Sequence, residues 1–175
     1  VQRHKAAPKL ASAITQAMQG LGMQGGRFEI VLTTLEQAAA DGLEHAEFLV
    51  AGHSGSTPRP VGKVASGGEL SRLALAIAVT TSELGEAPTL IFDEVDSGVG
   101  GAVGETVGRL MQQLGKDRQV MAVTHLAQVA TWADQHLVVA KKSNAQSAFS
   151  TVDTVEGEAR VAEIARMLGG ERLSD

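Results

Sequence analysis

The stretch Val64-Ala-Ser-Gly-Gly-Glu-Leu-Ser-Arg-Leu-Ala-Leu-Ala-Ile-Ala78 places two glycines at the start of an otherwise strong helix. Beyond Leu70, apolar residues follow one another so densely that we expect this helix to be buried on most sides. A helix of this kind belongs in the centre of a domain. The residues at its beginning need a separate explanation.

Two interpretations fit the beginning of the helix. Ser66 and Glu69 have the spacing of a capping box, in which the serine accepts a first-turn N–H and the glutamate reaches back to the serine N–H. Gly67 and Gly68 each cost about 1 kcal/mol relative to alanine in a helix interior. They make sense if something approaches the backbone closely, and free N–H groups at a helix start suit a phosphate. On this stretch alone, a plain cap and an anion site both remain open.

Composition limits the class of protein. The 175 residues are 43% hydrophobic and contain no cysteine, which excludes disulfides, a thiol nucleophile and cysteine metal sites. The formal net charge of −5 argues against a general nucleic-acid clamp. No signal peptide or membrane-spanning run is evident, so we expect a soluble intracellular protein with no membrane partner. The chain opens inside a helical pattern without a methionine, which indicates a piece of a longer protein.

The N-terminal quarter of the chain predicts one helix and a strand pair. Residues 1–21 have apolar positions three and four apart, which indicates the end of a coiled coil or connecting helix, with an ordinary surface helix as the alternative. The lobe proper is expected to cover 22–175. Segments 28–34 and 47–51 read as antiparallel strands, and 37–45 as a polar excursion or short helix.

The remainder alternates between short apolar runs and amphipathic segments. Strands are expected at 89–92, 119–125, 136–140 and, at an edge, 148–155; helices at 102–114, 126–133 and 158–168; a turn at 141–146; and a helix stop at Gly169-Gly170. This alternation predicts an α/β fold with a mostly parallel sheet flanked by helices. We expect the run before Asp93 to be a strand buried on both faces.

Polar side chains end two of these strands. Asp93 and Glu94 follow one apolar run and His125 follows another, so all three are expected at the carboxyl edge of the sheet. An aspartate can serve Mg²⁺ while a neighbouring glutamate polarises the attacking water, which is the form of a Walker B motif. Taken singly, the acidic pair is more often a solvated loop start, and His125 a capping or packed histidine.

A phosphate-binding P-loop is not found. Gly62-Lys63 has the appearance of its end, but the required earlier glycine would fall at Thr57, and Val64 stands where a Ser or Thr should bind magnesium. We therefore reject this segment as a P-loop.

Taken together, the motifs resemble the second half of an ABC-type ATPase head. Ser66-Gly67-Gly68-Glu69 resembles the signature motif, Leu90-Ile-Phe-Asp93-Glu94 the Walker B motif, Asp96-Ser97-Gly98 the D-loop, and His125 the switch histidine. With their flanking residues, they are similar to the RecN family of bacterial DNA-repair proteins, relatives of the SMC proteins. The resemblance covers nearly the whole chain.

The resemblance implies a divided ATPase. In that family the Walker A motif lies in an N-terminal half, separated by a long coiled coil from the C-terminal half that completes the head. The implied cofactors are ATP and Mg²⁺. The implied partners are the N-terminal Walker A lobe of the same protein, a second head in an ATP-sandwiched homodimer and, for the full-length protein, DNA during double-strand-break repair. The full-length protein would be an ATPase, and this piece alone would be inactive.

The same resemblance implies roles for single residues. Asp93 would orient Mg²⁺, Glu94 would act as general base, and His125 would contact the γ-phosphate. The signature residues Ser66, Gly67, Gly68 and Glu69 would close over ATP held by the opposite head, with Asp96, Ser97 and Gly98 as the D-loop. Two alternatives are an ATP-gated dimerisation or DNA-binding module without significant turnover, and a head lobe of another SMC or ABC-type ATPase.

Overall fold

The computed structural model describes residues 2–40, 42–64, 66–82, 87–143 and 148–169. Its helices are α1 (Gln2–Gln19), α2 (Gly67–Thr80), α3 (Gly101–Leu114), α4 (Ala127–Ala130) and α5 (Gly157–Gly169), with one 3-10 turn at Val61–Lys63. Its strands are β1 (Arg27–Ala39), β2 (Gly42–Ala51), β3 (Arg59–Pro60), β4 (Thr89–Phe92), β5 (Gln119–Ala122), β6 (His136–Ser143) and β7 (Ala148–Val155). The α/β class expected from the sequence is confirmed.

The N-terminal sheet is larger than the sequence predicted. Strands β1 and β2 pair antiparallel, as expected, with Arg27 opposite Ala51 and Thr34 opposite Glu44, and β3 adds to the edge of β2. The short helix or excursion expected at 37–45 is wrong, because both strands continue into that segment. The register shifts between Thr34 and Ala39, where Ala39 pairs with Gly42, so the two strands continue to the end of the hairpin through an irregularity. Gly42, at φ 128°, starts the returning strand in a conformation that favours glycine.

The parallel sheet is smaller than predicted. Strands β4 and β5 run parallel, with Leu90 opposite Val120 and Phe92 opposite Ala122. The expectation of a mostly parallel sheet is wrong in extent, since the described strands form three separate sheets and this pair alone is parallel. Strand β6 pairs antiparallel with β7, its neighbour along the chain, because a hairpin satisfies both strands locally. Helix α4, expected over 126–133, contains only four residues.

The core lies between α1, α2, α3 and the parallel strands. Its buried side chains come from α1 and the turn after it (Ile14, Met18, Leu21, Met23), the N-terminal sheet (Phe28, Val50), α2 (Leu73, Leu75, Ala76), β4 and the turn after it (Phe92, Val95), α3 (Val107, Met111, Leu114) and α4 (Val129). Each large apolar side chain removed from water contributes about 1.5–3 kcal/mol. The expected burial of α2 on most sides is confirmed, and the helix over Gln2–Gln19 is present as expected. Its role as the end of a coiled coil stays a prediction.

One face of the parallel pair is open. Phe92 belongs to the core, but Ile91, directed to the opposite face, is 70% exposed, and its partner Met121 is 44% exposed. Val123, just beyond β5, is 64% exposed. Burial of the 89–92 strand on both faces is therefore wrong for this chain, because the described helices cover only one side of it.

Two predictions fall partly outside the described residues. Lys141–Ser143 belong to β6, whereas 144–146, the rest of the expected turn, are not described. Helix α5 ends at Gly169, and Gly170, the second expected stop residue, also lies outside the described part. Among the described helices, none combines the length and the apolar character that crossing a membrane requires.

Candidate functional site

The start of α2 is capped by Ser66. Its backbone is extended, at φ −109° and ψ 123°, and its Oγ accepts a hydrogen bond from the Glu69 N–H at 3.4 Å. The serine half of the predicted capping box is therefore present. The Glu69 carboxylate lies over Gly52, where a Cβ would come within 3.5 Å of Oε1. Ser66 thus helps to fix where α2 begins.

The two glycines lie against the turn that follows β4. A Cβ on Gly68 would lie 2.9 Å from both Cβ and the carbonyl oxygen of Ser97, so the helix backbone touches the turn directly. A Cβ on Gly67 would lie 2.4 Å from Oε2 of Glu94, the end of a flexible side chain. Close approach to this turn therefore explains the glycine pair within this chain. The anion-binding role that the sequence suggested is a second explanation. That role stays a prediction.

Helix α2 also holds this turn through two polar side chains. Ser71 donates its hydroxyl to the Asp93 carbonyl at 2.6 Å, and Arg72 donates Nη1 to the Ser97 carbonyl at 2.8 Å. Arg72 is only 6% exposed. Burial lowers the pKa of its guanidinium, and the negative charge of Glu69 partly opposes that shift.

The sequence analysis assigned no role to Ser71 or Arg72. The available signal was a serine and an arginine inside an otherwise apolar helical run, at positions 71 and 72. A buried arginine needs carbonyl or carboxylate partners, so it could have been expected to bind another element. The identity of that element depends on the tertiary fold.

Asp96 joins the carboxyl ends of the two parallel strands. Its side chain is buried, and Oδ2 accepts hydrogen bonds from Thr124 Oγ1 at 2.5 Å, from the His125 N–H at 2.9 Å and from the Leu126 N–H at 3.3 Å. The ring Nδ1 of His125 lies 3.2 Å from the same oxygen. The turn after β4 is thereby bonded to the segment after β5.

Glu94 has an unusual backbone. Its φ is 55°, and it is the one non-glycine residue with positive φ among those that the structure describes. A glutamate in the left-handed region costs about 1–2 kcal/mol. Its carbonyl accepts the Ser97 N–H at 3.0 Å, which closes the turn. Such strain is common where a side chain must be aimed for function.

The three polar side chains predicted from the strand ends are accessible. Asp93 and Glu94 are exposed, and the side chain of His125 is 70% exposed. Asp96, by contrast, is buried and acts through its bonds to 124–126. Of these predicted residues, Asp93, Glu94 and His125 are therefore exposed, whereas Asp96 is buried and joins two segments of the chain. Ser97 and Gly98 are exposed on the same turn.

The exposed carboxylates could bind Mg²⁺ only together with a ligand that supplies further oxygen atoms. Within the described residues no group of three or more His, Asp or Glu side chains could hold a metal ion. Mg²⁺ is commonly bound through one or two carboxylates together with phosphate oxygens and water. Asp93 and Glu94 supply that number of carboxylates, so the donor set suits a Mg²⁺–nucleotide complex and not a metal cage built from protein alone.

The candidate site is an open edge of the molecule. Two surface depressions are lined by other residues, among them Lys116 and Trp132. The start of α2, the turn after β4 and the segment after β5 instead share a bonded, accessible surface. An edge of this kind can complete a site that another surface also lines.

Proteins with similar sequences are DNA-repair proteins. The chain is 43% identical over 176 residues to DNA repair protein RecN of Xylella fastidiosa strain Temecula1, 38% identical to that of Treponema pallidum and 40% identical to that of Vibrio cholerae. Each alignment covers 99% of this chain but only 31–32% of the relative. The chain therefore spans about a third of the length of the curated relatives it matches. No protein-family model matches the chain.

Solved structures with a similar fold are SMC heads. The Smc head domain with a coiled coil and joint from Pyrococcus yayanosii matches 94% of this chain with a TM-score of 0.66 and 21% identity, and 30% of that chain is covered. A structure from work on ATP-driven dimerisation and DNA-stimulated activation of SMC ATPases matches 95% of this chain with a TM-score of 0.57 and 19% identity, covering 96% of that chain. At these identities, the likeness establishes the fold.

Proposed function

Because this chain belongs to the RecN family over the third of the family's length that it spans, we propose that it is the C-terminal lobe of a divided ATPase head. In this proposal the whole protein binds ATP between two heads and hydrolyses it during repair of DNA double-strand breaks. The fold likeness to SMC heads supports the proposal. The observation that carries it is the bonded edge where the turn after β4 meets the segment after β5 through Asp96.

The exposed side chains on this edge suit hydrolysis of a phosphoanhydride. Asp93 would hold Mg²⁺, which when bound neutralises charge on the phosphates. Glu94 would accept the proton of the attacking water as general base. His125 lies on the neighbouring strand end, with its backbone N–H fixed by Asp96, and would contact the γ-phosphate. The carboxylate and the imidazole are both accessible to a ligand at this edge.

The start of α2 would serve a second nucleotide. Ser66 and Gly67 are exposed at the first turn of a helix of 14 residues, Gly68 is buried beside them, and Glu69 follows in the same turn. Phosphate bound there would interact with free N–H groups and the positive end of the helix dipole. This surface would therefore close over ATP held by the opposite head, so that the nucleotide joins a homodimer. Asp96, Ser97 and Gly98 would lie at the same junction as the D-loop.

The phosphate-binding loop must come from another part of the protein. The open face of the parallel pair presents Ile91, Met121 and Val123 to solvent. An apolar patch of this kind marks an interaction surface. We assign it to the N-terminal half of the same protein, which would supply the Walker A motif and cover the sheet. DNA would be bound by the full-length protein, in the bacterial cytoplasm and at the nucleoid.

Replacement of Glu94 tests the proposed reaction. In the full-length protein, Glu94→Gln should slow ATP hydrolysis by about 10²–10⁴-fold, the usual contribution of a general base. ATP binding should be retained, because the substitution removes a proton acceptor and keeps the shape. Phosphate release and equilibrium nucleotide binding would be measured together. Glu105→Gln, an exposed glutamate on α3, is the matched control. Turnover by Glu94→Gln at the wild-type rate would remove Glu94 from this role.

A further inference from the structure

Three alternate carbonyls of the turn after β4 are bonded by α2. Ser71 bonds the Asp93 carbonyl, and the guanidinium of Arg72 reaches both Ser97 O, at 2.8 Å, and Val95 O, at 3.5 Å. Glu94 lies between the first two of these carbonyls. Helix α2 therefore holds the backbone by hydrogen bonds on both sides of Glu94, the candidate general base.

The hydrogen bonds fix the peptide planes around Glu94. The plane before it is held by Ser71 through the Asp93 carbonyl, and the plane after it by the Ser97 N–H, which bonds the Glu94 carbonyl at 3.0 Å. The next plane is held by Arg72 through the Val95 carbonyl. A left-handed glutamate persists only where its surroundings over-determine it. These three contacts supply that constraint on the φ of 55°.

Burying Arg72 for this purpose is costly. The residue is 6% exposed, its Nε has no hydrogen-bond partner in the described structure, and burial lowers the pKa of the guanidinium. An unpaired buried donor lowers stability, because its hydrogen bond to water is lost on folding and is not replaced. An apolar side chain would fill the same space without that penalty, so filling space alone does not account for an arginine. The two carbonyls that it bonds give the charged group its function.

We propose that Arg72 is a positioning residue for Glu94. By bonding the carbonyls of Val95 and Ser97 it holds the turn in the conformation that presents the Glu94 carboxylate at the exposed edge. The inference rests on the proposed function, in which Glu94 is the general base. Arg72 lies on α2, the helix that begins with the glycine pair. Its hydrogen bonds therefore also fix the position of this helix start relative to Glu94.

The test uses three variants of the full-length protein. Arg72→Met keeps the apolar stem but loses both bonds, Arg72→Lys keeps the charge on a single donor nitrogen, and Arg109→Met, at an exposed arginine of α3, is the control. Arg72→Met should lower kcat about 10–100-fold, the range expected for misplacement of a catalytic group, with KM changed less than about 2-fold. Arg72→Lys should restore part of kcat. The control should match wild type.

Amide hydrogen exchange gives a readout that does not depend on turnover. In the nucleotide-free protein, Arg72→Met should speed exchange of the amides at 95–98 by about 10-fold or more, because the turn loses its bonds to α2. Exchange in β1 and β2 should remain at the wild-type rate. Wild-type exchange at 95–98 together with wild-type kcat would overturn the inference. If Arg72→Met fails to fold, Arg72→Gln, which is neutral and too short to bond both carbonyls, is measured in the same way, and wild-type values there would equally overturn it.

A double variant separates positioning from general damage. If Arg72 acts through Glu94, Arg72→Met combined with Glu94→Gln should be no more than about 2-fold slower than Glu94→Gln alone. Multiplication of the two single effects would overturn the inference but leave the proposed function intact. Wild-type turnover by Glu94→Gln alone would instead overturn the proposed function. The two failures are therefore distinguishable.

Discussion

At the scale of single residues, the two glycines at the start of α2 differ in what a side chain would meet. A Cβ on Gly68 would lie 2.9 Å from the Ser97 carbonyl, which is backbone and cannot swing aside. We expect Gly68→Ala to destabilise the fold by about 1–3 kcal/mol, as overpacking does. Gly67→Ala would meet only the mobile end of Glu94 and should be within about 1 kcal/mol of wild type. Urea unfolding of both variants measures the difference, and equal midpoints would contradict the packing argument.

A second prediction for a single residue concerns Asp96. Asp96→Ala leaves the Thr124 hydroxyl and the His125 amide without their acceptor, whereas the Leu126 amide keeps its bond to Thr124 Oγ1. The loss should cost about 1–3 kcal/mol and increase hydrogen exchange at 124–126. Asp93→Ala removes an exposed carboxylate from the same turn and should leave the unfolding free energy within about 0.5 kcal/mol of wild type. Equal unfolding free energies for the two variants would show that Asp96 does not stabilise this junction.

Sequence alone located several of these residues. Asp93, Glu94 and His125 were placed at strand ends by a local pattern, an apolar run followed by a polar side chain. The bonds that the buried Asp96 accepts depend on how β4 lies beside β5. The bonds from Arg72 to carbonyls about 25 positions away depend on how α2 packs against the turn after β4. No local pattern encodes which backbone groups a buried arginine will reach. The left-handed backbone at Glu94 has no sequence signal either, since glutamate rarely adopts it.

At the scale of elements, the existence of the strands and the β1–β2 pairing were predictable, whereas the length of β1 and the pairing of β6 with β7 were not. The apolar runs at 28–34, 47–51, 89–92 and 136–140 all form strands. Extension of β1 to Ala39, and the pairing of β6 with β7, depend on hydrogen-bond partners that are remote or compete with one another. Pairing can extend a strand through residues that carry no apolar alternation. That is why the predicted excursion at 37–45 is strand instead.

Close packing of α3 on α4 provides a test at this scale. A Cβ on Gly108 would lie 2.6 Å from Trp132 Cδ1 and 3.1 Å from the Val129 carbonyl, whereas one on Gly104 would meet the flexible Leu126 side chain at 3.2 Å. Gly108→Ala should therefore destabilise by about 1–3 kcal/mol and shift the fluorescence of Trp132. Gly104→Ala should be milder, because Leu126 can change rotamer. A larger loss for Gly104→Ala would refute this account of the helix contact.

At the scale of the whole molecule, the open face of β4 and β5 allows binding of a partner to be tested separately from the stability of this chain. Ile91 is 70% exposed, so Ile91→Lys should alter the unfolding free energy of this chain by less than about 0.5 kcal/mol. If the N-terminal half covers this face, a buried lysine should weaken its binding by about 10-fold or more, since an unpaired charge at an interface is costly. Leu43→Lys, on the N-terminal hairpin, is the exposed apolar control. Calorimetric titration with the separately produced N-terminal half measures both, and equal affinities would place the partner elsewhere.

The most direct measurement of the central claim is phosphate release by this chain, alone and mixed with the separately produced N-terminal half, with and without DNA. The account predicts no turnover by this chain alone, turnover in the mixture, and loss of that turnover when the chain carries Glu94→Gln. Robust hydrolysis by the chain alone would contradict a divided head. A mixture that binds ATP and dimerises without any turnover would contradict the catalytic role and leave ATP as the ligand of a clamp.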